Sequence, residues 1–144
     1  MERTAKTYAA AIDSLNVESN YLPKGGVTHC NEFAQDVMKK MSAALPGGLA
    51  NEMADALSNK KAPGWYAVTF SDAQKRANLG YPTIGIKKET GHGHVVVVRP
   101  KGSSITVLKE VQVAQAGTSN FNSKTINWSW KAADLPGVKF YTHD

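Results

Sequence analysis

The sequence predicts an α+β domain in which helices come first and an antiparallel sheet follows. Apolar residues recur at helical spacing in the first half of the chain, whereas the second half contains short valine-rich segments bounded by glycine and proline. The chain has 144 residues, of which 42% are hydrophobic and 20% are charged. This is enough apolar material for one hydrophobic core, so we interpret residues 1–144 as a single domain.

Helical spacing and end signals predict four helices. Their predicted extents are residues 8–16 (or to 20), 28–44, 50–57 and 71–80. Thr28 follows two glycines and is the expected N-cap of the second helix. Ser71 and Gln74 have the spacing of a capping box, and Gly80 is expected to end the last helix.

Strand composition predicts the sheet of the second half. The predicted strands cover residues 65–70, 83–86, 94–99, 105–108, 111–115 and 138–141. The segment that starts at His94 continues with four valines, so it is apolar on both faces. A strand that is buried on both faces lies inside a sheet, and we therefore expect this one to be central, with the second helix packed on it.

Cys30 is the only cysteine and falls in the first turn of the second predicted helix. It belongs to the helix's apolar stripe together with Phe33, Ala34 and Val37, which predicts that its side chain is buried. Unpaired N–H groups at a helix start favour an anion and lower the pKa of a thiol, which would make Cys30 a nucleophile. Inert packing is the alternative, because free cysteines are among the most buried residues.

His94 is the expected partner of Cys30, since a cysteine nucleophile needs a base within reach. The next strand carries Gln115, which would orient the imidazole; Asn120, just beyond Gly117, is the competing candidate. The alternative for His94 is a core histidine that donates to a backbone carbonyl. A metal site formed by His92 and His94, with His29 or Cys30, is also conceivable.

The metal interpretation is the weaker one. Neighbouring residues on a helix point about 100° apart, so His29 and Cys30 do not readily share one ion. No Asp or Glu stands at a companion spacing near His92. We therefore expect no metal and place His92 in a turn at the rim of the site.

Charge and hydropathy restrict the partners. The net charge of +5 and the pI of about 9.3 suit an anionic partner such as nucleic acid, a membrane surface or cell wall. The basic residues are scattered rather than aligned with aromatics, so we do not expect nucleic-acid binding. No apolar run is long enough to span a membrane. The first residues lack the apolar segment of a secretory signal, which predicts synthesis in the cytoplasm and delivery by other machinery.

Several short stretches resemble the papain-like peptidoglycan amidases, which include the NlpC-type and CHAP enzymes. The likeness looks closest to the type VI secretion amidase effectors. The similar stretches are residues 30–33, 46–57 and 93–98, with a weaker match over 114–128. The resemblance extends over much of the chain, but asparagine and glutamate stand at positions 31 and 32, where many of these enzymes have serine and glycine.

The resemblance implies a papain-like fold with Cys30 as nucleophile, His94 as base and no cofactor. It further implies hydrolysis of an amide in the peptide stem of peptidoglycan, at the D-glutamate–diaminopimelate bond or one nearby. Asn31, His92 and Asn120 are then the candidate substrate-binding residues. Such an effector acts in the periplasm of a target cell and has a cognate immunity protein. A papain-like enzyme for another amide or acyl substrate, and a non-catalytic basic binding module, remain the alternatives.

Overall fold

A computed structural model describes residues 1–144 and contains four α-helices and one six-stranded sheet. The helices are α1 (Ala5–Ser14), α2 (Cys30–Lys40), α3 (Ala50–Ser58) and α4 (Phe70–Asn78). The strands are β1 (Trp65–Val68), β2 (Thr83–Lys87), β3 (His94–Val98), β4 (Gln112–Gln115), β5 (Phe121–Thr125) and β6 (Lys139–His143). This arrangement confirms the predicted α+β class. None of the four helices combines the length and the hydrophobicity needed to cross a membrane.

The strands are ordered β1-β6-β2-β3-β4-β5, and every neighbouring pair is antiparallel. β3 therefore lies in the middle of the sheet, as its run of valines predicted. Val95, Val96, Val97 and Val98 are all at most 1% exposed. β4 pairs with β3 only at Val97 and Val98, so the start of β3, which carries His94, is free of β4.

Helix α2 packs against β3 and brings Cys30 to that end of the strand. The face of α2 turned to the sheet is the predicted apolar stripe, and its buried residues are Cys30, Phe33, Ala34, Val37 and Met38. Each large side chain that is fully buried contributes about 1.5–3 kcal/mol to folding. Because this face of α2 lies within the core, the position of Cys30 relative to β3 is fixed by packing.

Helix α1 secures the other end of the central strands through Tyr8. The fully buried Tyr8 hydroxyl donates to the Val98 carbonyl at 2.6 Å and accepts from the Thr83 N–H at 3.1 Å. Thr83 begins β2 and Val98 ends β3, so one side chain holds these two strands together at the end away from His94. Asn16, with a φ of +51°, follows the helix at its end, in a conformation that asparagine tolerates well.

Helix ends differ from the predictions in ways that the hydrogen bonds explain. The N-cap of α2 is His29 rather than Thr28, it makes no capping hydrogen bond through its side chain, and the helix ends at Lys40 rather than at residue 44. Helix α4 begins at Phe70 because Thr69 Oγ1 accepts from the Asp72 N–H at 3.1 Å, which replaces the predicted cap at Ser71.

The strand predicted at residues 105–108 is absent. This segment is a loop that leads into a 3₁₀ turn at Leu108–Glu110. Glu110 Oε1 accepts from the N–H groups of Thr106 and Val107, at 3.1 and 3.0 Å, so a side chain satisfies the backbone where a neighbouring strand was expected. The sheet instead ends in β5, which pairs with β4 and was not predicted.

Candidate active site

Cys30 is the first residue of α2 and is 6% exposed. The first-turn N–H groups of a helix have no intrahelical acceptor, and His29 supplies no side-chain cap. The N–H groups of Cys30 itself, of Asn31 and of Val95 all favour the thiolate form of the sulfur. Val95 follows His94 directly in β3, so the sulfur lies beside the backbone next to the candidate base.

Burial has a larger effect on the pKa of the Cys30 thiol than these N–H groups have. Desolvation raises the pKa of the thiol, and the three N–H groups offset that increase only in part. The pKa is therefore raised above its ordinary value, opposite to the direction that the helix-start argument predicted. At neutral pH Cys30 is a protonated thiol, because the apolar surroundings disfavour the charge more strongly than the helix start favours it.

Gln115 fixes the orientation of the His94 ring. His94 Nε2 lies 2.7 Å from Gln115 Oε1, and Gln115 Nε2 donates to the Ser119 carbonyl at 2.8 Å. Since the amide nitrogen is engaged by Ser119, the amide oxygen must face the imidazole and accept from it. His94 is therefore protonated on Nε2, which leaves Nδ1, a nitrogen with no hydrogen bond, as the basic atom.

Two further side chains surround His94. The Trp130 ring packs edge-on against the imidazole with its centroid at 5.0 Å, and Trp130 Nε1 donates to Glu89 Oε1 at 3.1 Å. Burial lowers the pKa of His94, whereas Gln115 and the Glu89 carboxylate raise it to a smaller extent. The imidazole is therefore neutral at neutral pH, and the resting pair consists of a neutral thiol and a neutral imidazole.

Two open cavities meet beside these residues and share Thr28 and Gly93. The Cys30 cavity, of about 220 Å³, is lined by Thr28, Cys30, Asn31, Leu49, Ala50, Asn51, Glu52, Gly91, His92 and Gly93. The His94 cavity, of about 410 Å³, is lined by Thr28, Glu89, Gly93, His94, Gln115, Gly117, Thr118, Ser119, Trp128 and Ser129. Together they form a groove that offers the thiol on one side and the imidazole on the other.

Asn51 on α3 secures the loop between β2 and β3, and sequence reasoning did not single it out. Its Nδ2 donates to the Glu89 carbonyl at 2.7 Å, and its Oδ1 accepts from the Glu89 N–H at 3.1 Å. Gly93 lies so close that a Cβ atom there would overlap Asn51 Oδ1. An asparagine within a helix carries no special signal, so only the fold reveals that it holds the wall between the two cavities.

Of the three candidate substrate-binding residues, two line the Cys30 cavity and one does not. Asn31 and His92 line the Cys30 cavity, and Asn31 Nδ2 donates to the Gly48 carbonyl at 3.3 Å. Asn120 lines neither cavity: it accepts from the Gly117 N–H at 2.9 Å and donates to the carbonyls of Val17 and Tyr21. Its side chain therefore shapes the loop after β4, and Gln115 rather than Asn120 makes the hydrogen bond to the imidazole.

The four residues considered for a metal do not form one cluster, although Cys30 and His92 line the same cavity. His92 lines the Cys30 cavity and His94 lines the other, whereas His29 Nδ1 lies 3.0 Å from Glu32 Oε1. No three His, Cys, Asp or Glu side chains come together in a ligating arrangement.

The site thus combines a thiol at a helix start, an imidazole hydrogen-bonded to an amide side chain and an open groove lined by both residues. The chain matches no protein-family model, and no curated protein matches its sequence.

The protonation state of Cys30 can be measured by alkylation. The rate of reaction with iodoacetamide should rise with pH around a midpoint above that of the same chain unfolded in urea, because burial raises the thiol pKa. Mass spectrometry of the chain against time gives both profiles, and the single cysteine makes the assignment unambiguous. A midpoint below that of the unfolded chain would instead show a thiolate stabilised by imidazolium.

Proposed function

We propose that the protein is a cysteine amide hydrolase in which Cys30 is the nucleophile and His94 is the base. One observation carries the proposal: the Cys30 sulfur lies beside Val95, the neighbour of His94, while Gln115 holds His94 Nε2 and leaves Nδ1 free. A merely structural cysteine has no need of an imidazole with a fixed tautomer at the same end of the same strand. We further propose that the α+β domain has the papain-like fold.

The reaction begins when the Cys30 sulfur attacks the carbonyl carbon of the substrate amide. At the same time the proton of the Cys30 thiol passes to His94 Nδ1. The carbonyl oxygen becomes an oxyanion, which the N–H groups at the start of α2 stabilise. The C–N bond then breaks, and His94 gives its proton to the leaving amine. Water attacks the thioester carbonyl carbon while one of its protons passes to His94. The C–S bond then breaks, the carboxylic acid leaves, and His94 returns the proton to the Cys30 sulfur.

Charge forms only during attack, because the resting pair is neutral. The imidazolium that appears at His94 keeps its hydrogen bond to Gln115 Oε1 and is further stabilised by the Glu89 carboxylate. These groups interact more favourably with the charged ring than with the neutral one. They therefore stabilise the transition state more than the resting state, which is the requirement for catalysis.

For the substrate we infer an amide in the peptide stem of peptidoglycan, cleaved in the periplasm of a target cell by an antibacterial effector that has an immunity protein. The resemblance of residues 30–33 and 93–98 to cell-wall amidases supports this class. The groove is open, and its Cys30 side combines apolar surface with the polar side chains of Asn31 and Glu52, which suits an extended peptide. The net charge of +5 also favours approach to an anionic polymer.

Incubation with purified sacculi tests this function. We expect wild-type protein to release fragments that carry one new carboxylate and one new amine per cut, and mass spectrometry of the fragments identifies the bond. The Cys30→Ala variant is the matched control, because it differs only at the proposed nucleophile. Intact sacculi together with cleavage of an unrelated peptide would assign the hydrolase to a different substrate.

A further inference from the structure

The His94 cavity combines polar walls with one exposed aromatic ring. Only one of its ten lining residues is hydrophobic. Trp128, on its rim, has 65% of its surface exposed, whereas Trp65 and Trp130 are buried. Burial in the core therefore does not account for Trp128, which lines the same cavity as His94.

Lys124 steadies this exposed ring. Its Nζ lies 4.3 Å from the centroid of the Trp128 ring, within the range of a cation–π contact. The lysine is on β5, the edge strand, so the indole is supported by the sheet while most of its surface stays open. A steadied aromatic ring loses little conformational freedom when a ligand stacks on it.

Ser129 adds an unused polar group to the same cavity. Its hydroxyl is shielded from solvent and has no hydrogen-bond partner in the protein. Buried hydroxyls nearly always have a partner, so the unpaired Ser129 hydroxyl is an exception within this wall of the cavity. The exposed residues Thr118 and Ser119 line the cavity as well and supply further hydroxyl groups.

We propose that the His94 cavity binds a sugar ring of the glycan strand to which the stem peptide is attached; this inference rests on the proposed function. A pyranose ring has a face of C–H groups with slight positive charge and a periphery of hydroxyl groups. The C–H face fits the negative face of the Trp128 indole, and the hydroxyl groups of the sugar fit the exposed residues Thr118 and Ser119. An apolar protein segment would require more hydrophobic lining than this cavity has.

The sugar site determines in which orientation the substrate lies in the groove. With the sugar ring in the His94 cavity, the peptide passes Gly93 and the Cys30 sulfur and continues into the Cys30 cavity. The preferred substrate is then a stem peptide that still carries its sugar, rather than a free peptide.

Competition between two synthetic substrates tests the preference. We expect wild-type protein to show a kcat/KM about fivefold to tenfold higher for a disaccharide-bearing tetrapeptide than for the free tetrapeptide, as one aromatic stacking contact allows. Trp128→Ala should bring this ratio close to one, mainly through KM. Leu79→Ala, which removes an exposed side chain that lies just after the end of α4 and lines neither cavity, should keep the wild-type ratio. An unchanged ratio in Trp128→Ala overturns the proposal.

A binding measurement keeps the two proposals separable. Titration of the Cys30→Ala protein with an oligomer of N-acetylglucosamine should change its tryptophan fluorescence saturably, and the added change Trp128→Ala should remove that response. If wild-type protein cleaves neither substrate, the proposed function fails and this titration alone decides the sugar site. Absence of a saturable response, or a response that persists without Trp128, overturns the site.

Discussion

Replacement of Cys30 by alanine is expected to abolish hydrolysis, with a loss of about a thousandfold or more in kcat, because Cys30 is the only cysteine in the chain and no second thiol can replace it. His94→Ala should cause a similar loss, since a positioned base contributes about 10²–10⁴-fold. Release of fragments from sacculi, followed by mass spectrometry, measures both losses.

His92→Ala is the matched control, because it removes an imidazole two residues away that lines the groove but contacts neither Gln115 nor Trp130. We expect it to weaken turnover without abolishing it. In a plot of the wild-type hydrolysis rate against pH, the midpoint of the acid limb should lie below pH 6.5. Burial lowers the pKa of His94, and the ring must be neutral to accept the thiol proton. Equal and complete loss in His92→Ala and His94→Ala, with bound zinc in the wild type, would argue for a metal centre instead.

Directing the protein to the periplasm should lyse the cells that produce it. The proposed substrate lies in that compartment, so expression in the cytoplasm should be tolerated, whereas fusion to a periplasmic signal sequence should cause a rapid fall in optical density. The same fusion with Cys30→Ala should not lyse cells. Optical density after induction, with immunoblots of periplasmic fractions, measures the effect.

The alanine variant is informative only if it folds. A thiol-to-hydrogen change at a buried position leaves a small cavity and costs roughly 1 kcal/mol or less. Circular dichroism and thermal unfolding of the purified variant should therefore resemble those of the wild type. Lysis by a well-folded Cys30→Ala protein at the wild-type rate would refute the amidase proposal.

The central part of the fold was predictable because burial leaves a strong pattern. The stripe of α2 and the valines of β3 follow the periods of a helix and a buried strand, and these elements pack on each other. Gln115 was also expected on the strand that follows β3 and is the last residue of β4, although the register of β4 against β5 shifts between Val113 and Gln115. Local pattern was sufficient in these places because tertiary packing and local preference agree.

The periphery was harder to predict, because its backbone partners are distant in sequence. β5 has the polar sequence of an edge strand, and its pairing with β4 is decided by the sheet rather than by its own composition. The segment before Leu108 has strand-forming residues but is held by Glu110. At the site, the roles of Asn51 and Trp130 depend on long-range contacts that no short motif displays.

The burial that raises the pKa of Cys30 also bears on how long the protein survives outside a reducing cytoplasm. Peroxide converts thiolates, not thiols, to sulfenic acid, and thiol–disulfide exchange likewise proceeds through the thiolate. A sulfur that stays protonated until substrate arrives is therefore chemically quiet among oxidants and disulfide-forming enzymes. In the proposed mechanism, the burial that makes Cys30 a weak nucleophile at rest therefore also protects it from oxidation between turnovers, until His94 removes its proton in the presence of substrate.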